Sequence, residues 1–300
     1  MTSPPLTLAA PAKVNLYLAV HERQADGYHR LETLFERIDL ADELTLHRRP
    51  TGITVTCRDP SVPTDDRNLV VRAAQAFFQA SGLAGGVTAH LTKRIPVAGG
   101  LGGGSSDAAS TLLGLNALYG CPIVPGALVM LGRRLGADIP FFLSRAIVAW
   151  GRGHGDEVEP VAPPPVPLWH VLVNPGVPLL TKDVYDAFDR ASPVRLTPLF
   201  PNGTLLPRLV QAGDVTAVAA HLANALEPAV EANYPAIRAV KVALTSCGAL
   251  GVLVSGSGPT TYGLAVDEAQ ARTMQARLQR EYPTWTVLIA KTALALPQVS

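Results

Sequence analysis

Apolar and polar positions alternate every second residue over 6–21, 28–40, 43–47, 52–57 and 87–95, which predicts strands there. A helical period predicts a helix from 65 or 66 to about 80, a second over 108–119 and a third over 125–135. The stretch "VEPVAPPPVPLW", 158–169, is too rich in proline for an interior strand or helix and marks a junction. Beyond it the pattern predicts a strand at 170–173, a helix from about 181 to 189, two or three further helices, and strands near 251–254, 260–266 and 286–290. The expected class is α+β in both halves. Within the first strand, strict alternation puts Lys13, Asn15 and Tyr17 on a polar face and Val14, Leu16 and Leu18 on a core face.

Composition narrows the picture. The 300 residues are 48% hydrophobic and 16% charged, enough for two domains with a core each, and disorder is excluded as the main state. With a formal net charge of +1 and no basic block interleaved with aromatics, a nucleic acid polymer is not an expected partner. Cys57, Cys121 and Cys247 are odd in number and scattered, which speaks for a reduced compartment and against structural zinc. No basic region precedes an apolar run at the N-terminus, and no uninterrupted apolar stretch has spanning length. A cytoplasmic location without membrane contact is the expectation.

The densest signal is "PVAGGLGGGSSDAA", Pro96 to Ala109, with five glycines before Ser105, Ser106 and Asp107. Those three are N-cap types, so a helix is expected to start on them. A bare loop feeding a helix N-terminus offers free amides and a positive dipole end to an anion; a capping turn is the plainer alternative. Known glycine motifs fail on spacing. No lysine follows Gly104, as a P-loop requires; no glycine triplet has dinucleotide-fold spacing; neither serine has a glycine two residues on, as a nucleophile elbow requires.

Other stretches carry candidate chemistry. Lys13 is either a solvated strand lysine or a fixed cation that meets developing negative charge. Asp138 in "LGADIPFFL" is a turn or cap residue, or a partly desolvated carboxylate able to accept a hydroxyl proton. Tyr28 and His29 follow a turn glycine and are either packing residues or a means of stacking on a heterocycle. "SGSGPTTYG", 255–263, is a second glycine turn, and the two loops together suggest a cleft closed from both sides. His154 in "WGRGHGDEVEPV" reads as a solvated loop residue, and the proline-broken segment 196–209 carries no assignable role.

Taken in order, "PAKVNLYL", "DGYHRLETLF", "DDRNLVVRAA", "TKRIPVAGGLGGGSSDAA", "LGADIPFFL", "NPGVPLLTKDVYDAF" and "SGSGPTTYG" resemble the 4-diphosphocytidyl-2-C-methyl-D-erythritol kinases, small-molecule kinases of the GHMP superfamily in the non-mevalonate route to isoprenoid precursors. The resemblance covers nearly the whole chain. It implies an N-terminal domain over 1–162 like domain 2 of ribosomal protein S5, a ferredoxin-like domain over 163–300, and a cleft between them. The ATP triphosphate would be wrapped by Pro96, Gly99, Gly100, Leu101, Gly102, Gly103, Gly104, Ser105 and Ser106, with Asn68 and Lys93 toward the adenine. Asp138 would be the base for the substrate hydroxyl, oriented by Lys13. Asn15 would place the methylerythritol unit, Tyr28 and Tyr185 would sandwich the cytosine, His29 would bond its edge, and Thr181 would sit nearby. The implied partner is a small molecule carrying a cytidine diphosphate. Magnesium is expected with ATP, its protein ligands open between Ser105, Ser106 and none. A superfamily relative acting on homoserine or mevalonate would keep the glycine loop without needing the aromatic set, and a non-catalytic nucleotide binder would need neither Lys13 nor Asp138.

Overall fold

The computed structural model describes residues 4–25, 27–191 and 205–295. Asp26 of the "DGYH" stretch and residues 196–204 of the proline-broken segment lie outside them. The chain runs β1 (Leu6–Arg23), β2 (His29–Arg49), β3 (Gly52–Cys57), α1 (Leu69–Ser81), β4 (Gly86–Thr92), α2 (Gly103–Leu118), α3 (Pro125–Leu135), α4 (Ile139–Ser144), β5 (Val148–Arg152) and β6 (Glu157–Val161). It continues with β7 (Trp169–Asn174), α5 (Thr181–Ala191), α6 (Leu206–Ala212), α7 (Val215–Ala220), β8 (Ala223–Asn224), α8 (Glu227–Asn233), α9 (Pro235–Ser246), β9 (Gly251–Val254), β10 (Thr261–Ala265), α10 (Glu268–Glu281) and β11 (Thr286–Lys291). No described helix is long and apolar enough to cross a membrane.

The first sheet has the order β3-β4-β2-β1-β8, and β5 with β6 continues from β2. The two strands expected at 28–40 and 43–47 are one. Asp42, which looks like a break, pairs opposite Ala10 and is fully buried, and its carboxylate accepts from the Arg94 and Ile95 amides. Pro160 sits in β6, whose described partner is β5 alone, and an edge strand tolerates a residue without an N–H donor. Asn68 rather than Asp65 or Asp66 opens α1, its side chain accepting from Val70 N at 2.8 Å.

In β1 the alternation breaks. A register shift between Asn15 and Tyr17 puts Tyr17 in the core with Val14 and Leu16, against the Trp150 ring, while Leu18 turns to the side of Lys13 and Asn15. A bulge reverses side-chain parity downstream, which strict alternation cannot anticipate. The Lys13 face is also not solvated: Lys13 is 4% and Asn15 3% exposed.

The second sheet has the order β11-β7-β10-β9 and is antiparallel throughout. Helices α5 to α9 separate its first two strands in sequence and α10 its last two, giving the expected ferredoxin-like arrangement. Each half has a core of its own, one around Leu44, Phe77 and Leu112 and the other around Val173, Leu244 and Met274, and a further cluster is shared between them. Val14 and Leu16 of β1 pack in one cluster with Leu172, Leu253 and Tyr262 of the second sheet. Tyr262 donates its hydroxyl to Asn15 O at 2.9 Å, and β8 pairs with β1 at Tyr17 and Leu18. The second half therefore covers the strand that carries Lys13.

The two glycine loops meet backbone to backbone. Thr260 N donates to Gly99 O at 3.2 Å and Ser255 Oγ to Gly100 O at 3.0 Å. Gly100 has φ of +76°, and a Cβ there would lie 2.4 Å from Ser255 O and 2.8 Å from Gly258 O. Backbone atoms cannot swing aside as side chains do. Gly100→Ala is expected to lower the unfolding free energy by about 2 kcal/mol or more in urea titration; a loss below about 0.5 kcal/mol would mean that the loops part freely.

Candidate active site

A cavity of about 1130 Å³ lies between the halves, and the glycine loop, β1, the α3–α4 turn, the β5–β6 turn and α5 all line it. Helix α2 begins at Gly103, capped by the backbone of Gly102 at φ +70° with no side-chain cap. Ser105 and Ser106 are thus inside the first turn, correcting their expected place as caps: a left-handed glycine ends the loop, so the helix starts at Gly103 and not at 108. Gly100, Gly102 and Ser105 line the cavity, whereas Pro96, Gly99, Leu101, Gly103, Gly104 and Ser106 are not among its lining residues. Leu101 and Ser106 are each 1% exposed. Leu101 instead fixes β1, its carbonyl accepting from Lys13 N at 2.9 Å.

Lys13 is held by a chain of hydrogen bonds. Thr33 Oγ1 donates to Tyr17 O at 2.7 Å and accepts from Asn15 Nδ2 at 2.7 Å, and Asn15 Oδ1 accepts from Lys13 Nζ at 2.6 Å. Lys13 Nζ stands 3.7 Å from Asp138 Oδ2. Asp138 occupies the residue before α4 without capping it, and a third of its side chain is exposed to the cavity. Gly102 makes room for the lysine stem, since a Cβ there would be 3.0 Å from both Lys13 Cγ and the Phe142 ring. A buried ammonium beside a half-buried carboxylate, next to a bare loop at a helix N-terminus, suits transfer of an anionic group to a hydroxyl.

Helix α5 presents Thr181, Tyr185 and Asp189 to the cavity at intervals of four residues. Thr181 Oγ1 lies 2.9 Å from Ser257 Oγ, tying α5 to the second glycine loop. Tyr185 stacks on His29, with ring centroids 5.5 Å apart and planes at 28°. Burial, with the Asp138 charge adding to it, pushes the Tyr185 phenol well above its ordinary range. His29 is anchored through Nδ1, 2.8 Å from His21 O, and its Nε2 lies 3.1 Å from Asp189 Oδ1. Tyr28 is 67% exposed, and its described ring partner is His154, at 5.5 Å, rather than Tyr185.

Asn68 and Lys93 are not brought into the cavity. Asn68 caps α1 and donates to Pro63 O at 2.6 Å. Lys93 is buried between Asp42 and Asp107, 2.8 Å from Asp107 Oδ2. It packs beneath the start of α2, where a Cβ on Gly103 would lie 3.2 Å from its Nζ.

Several cavity residues escape sequence reasoning. Thr33 carries no motif. Asp189 is legible only through the four-residue spacing from Tyr185. His154 faces the cavity instead of bulk solvent because Leu31 N holds Gly153 O at 2.7 Å and pulls the β5–β6 turn onto β2.

Family models agree with this architecture: the GHMP kinases N terminal domain matches residues 68–145 and the GHMP kinases C terminal model residues 206–284. The chain is 46% identical over 268 residues to a protein of Geobacter metallireducens named 4-diphosphocytidyl-2-C-methyl-D-erythritol kinase, covering 89% of this chain and 92% of that one. It is 41% identical to the protein of the same name from Moorella thermoacetica, covering 93% and 96%. A crystal structure of 4-(cytidine 5'-diphospho)-2C-methyl-D-erythritol kinase superposes with TM-score 0.79 at 37% identity, covering 95% of this chain and 99% of that one. A mevalonate kinase of L. major, at 16% identity and TM-score 0.75 over 100% and 98% of the two chains, shares the fold.

Burial pushes the Asp107 carboxyl up to about 7 against the pull of Lys93, with Asp42 adding repulsion. A raised carboxyl stabilises the fold fully below its unfolded value near about pH 4, and that contribution is lost as pH rises through about 7. Between pH 4 and 8 the wild type is therefore expected to lose stability relative to Asp107→Asn, read by urea unfolding at each pH. Parallel profiles would mean that Asp107 is ionised throughout that range.

Proposed function

Since the chain belongs to the 4-diphosphocytidyl-2-C-methyl-D-erythritol kinase family of the GHMP kinases, we propose that it transfers the γ-phosphoryl group of ATP to the 2-hydroxyl of 4-diphosphocytidyl-2-C-methyl-D-erythritol, in the non-mevalonate route to isoprenoid precursors. The observation that carries this reading is one cavity shared by the glycine loop, the Lys13 to Asp138 pair at 3.7 Å and the aromatic side chains Tyr28 and Tyr185.

In this reading the triphosphate lies on loop 96–106, where first-turn amides and the α2 dipole receive it. Asn68 and Lys93 shape the adenine end by fixing the starts of α1 and α2. The 2-hydroxyl oxygen bonds to the γ-phosphorus as the bond to the bridging oxygen breaks, and ADP leaves. The hydroxyl proton passes to Asp138, while Lys13 aims the carboxylate and meets charge that grows in the transition state. Asn15 sits against the acceptor sugar, and Tyr28, His29, Thr181 and Tyr185 recognise the cytidine.

Magnesium, held with ATP, would offset the charge of the phosphates. Ser105 lines the cavity and fits a place in its shell; Ser106 is buried and does not. Among the described residues no cluster of three acidic, histidine or cysteine side chains gathers to hold an ion, and ATP phosphates and water would supply most of the ligands. The domains are taken as 1–162 and 163–300, with β6 ending at Val161 and β7 opening at Trp169. Three free cysteines suit work in the cytoplasm.

ADP release from Mg-ATP is expected with the cytidylated substrate and not with the sugar phosphate lacking cytidine, homoserine or mevalonate; turnover on one of the last two would overturn the substrate. Asp138→Asn is expected to bind both substrates while kcat falls roughly a hundredfold or more. A near-normal kcat would remove Asp138 from the base role. Tyr28→Ala is expected to raise KM for the cytidylated substrate, and an unchanged KM would put the base elsewhere.

A further inference from the structure

The turn between β5 and β6 is fastened to three parts of the cavity wall. Leu31 N of β2 holds Gly153 O at 2.7 Å, and Gly155 N closes the turn on Arg152 O at 2.9 Å. His154 N donates to Asp156 Oδ1 at 3.1 Å. Arg133, in the last turn of α3, donates from Nη2 to Asp156 O at 3.1 Å and sets Nε 3.4 Å from Asp156 Oδ2. Gly153 at φ +69° and Gly155 at φ +95° flank His154, a geometry that throws one side chain outward from a tight turn. That side chain meets the Tyr28 ring at 5.5 Å, with the planes tilted by 53°.

Tyr28 stands in the β1–β2 connection, is two-thirds exposed and meets the His154 ring. Tyr185, by contrast, is packed against His29, and Asp189 lies beside that pair. One wall of the base subsite is therefore set by burial, and the other lies at the rim in contact with His154. We infer that His154 is a positioning residue that holds the Tyr28 ring ready for the pyrimidine, and that the β5–β6 turn is built to present it. The inference rests on the cytidylated substrate proposed above and adds a residue to its recognition. The Arg133 to Asp156 contact holds this turn against the end of α3.

An aromatic contact of this kind is worth about 2-fold to 10-fold in affinity. His154→Ala is expected to raise KM for the cytidylated substrate by that factor, leaving kcat and KM for ATP unchanged, and His154→Phe is expected to restore it. The decisive arm is a double-mutant cycle with Tyr28→Ala, in which His154→Ala should add nothing further. Binding of CDP by titration calorimetry should follow the same pattern without turnover. An unchanged KM in His154→Ala, or an equal loss in the Tyr28→Ala background, overturns the positioning role while wild-type turnover keeps the kinase reading. A wild type inactive on the cytidylated substrate that also fails to bind CDP overturns both.

Discussion

The site depends on bare backbone pressed against bare backbone. Loop 96–104 and loop 255–260 come from opposite halves of the chain, and they touch through main-chain atoms that leave no space for a Cβ at Gly100. Close approach brings the start of α2, the Lys13 ammonium and the second sheet within one small volume. Side chains at the contact would push the loops apart and open the region to water, where charge stabilisation weakens. Glycine here serves approach as well as conformational freedom.

Buried charge supports the same region from beneath. Lys93 lies between Asp42 and Asp107 under the first turns of α2; burial alone would lower its ammonium, and the two carboxylates reverse that and raise it. Arg37, from β2, donates to the carbonyls of Phe141, Phe142 and Ala146, so a buried guanidinium clamps the helix that follows Asp138. Burial pulls this guanidinium down to about 10, with Arg145 adding to the effect. Glu36 and His170, both fully buried and 3.1 Å apart, join the two sheets. Such groups are costly to desolvate and tolerate few alternative arrangements, so they hold the surrounding backbone to one geometry.

The reacting end and the recognition end are built differently. Lys13 and Asn15 sit on a central strand between two layers, locked through Thr33 to the Tyr17 carbonyl. Tyr28 and His154 sit on turns at the rim. A buried reacting end with recognition side chains at the rim fits a kinase that must align two substrates before any bond changes, since phosphoryl transfer draws chiefly on positioning and electrostatics.

The α+β class, the glycine loop before a helix and the strand carrying Lys13 were legible in the chain, because each is written in local periodicity or in a run of special residues, whereas the ferredoxin-like second half was implied by the family resemblance. Lys13, Asn15, Asp138, Tyr28, His29, Thr181 and Tyr185 do gather on one cavity. Other features needed long-range contacts. The bulge after Asn15 exchanged Tyr17 for Leu18 on the cavity side, Gly102 took the capping role expected of serines, and the Lys13 and Asn15 face, which the pattern left open between solvent and a site, is buried. Lys93 found two carboxylates 51 and 14 residues away, and His154 was turned inward by Leu31 on a neighbouring strand. Sequence alone determined which residue types stand at each period and where backbone is free of side chains, since those are properties of neighbours along the chain. Tertiary structure alone decided which face of each strand meets the cavity and which charge meets which, because register, burial and pairing are set by contacts between segments far apart in sequence.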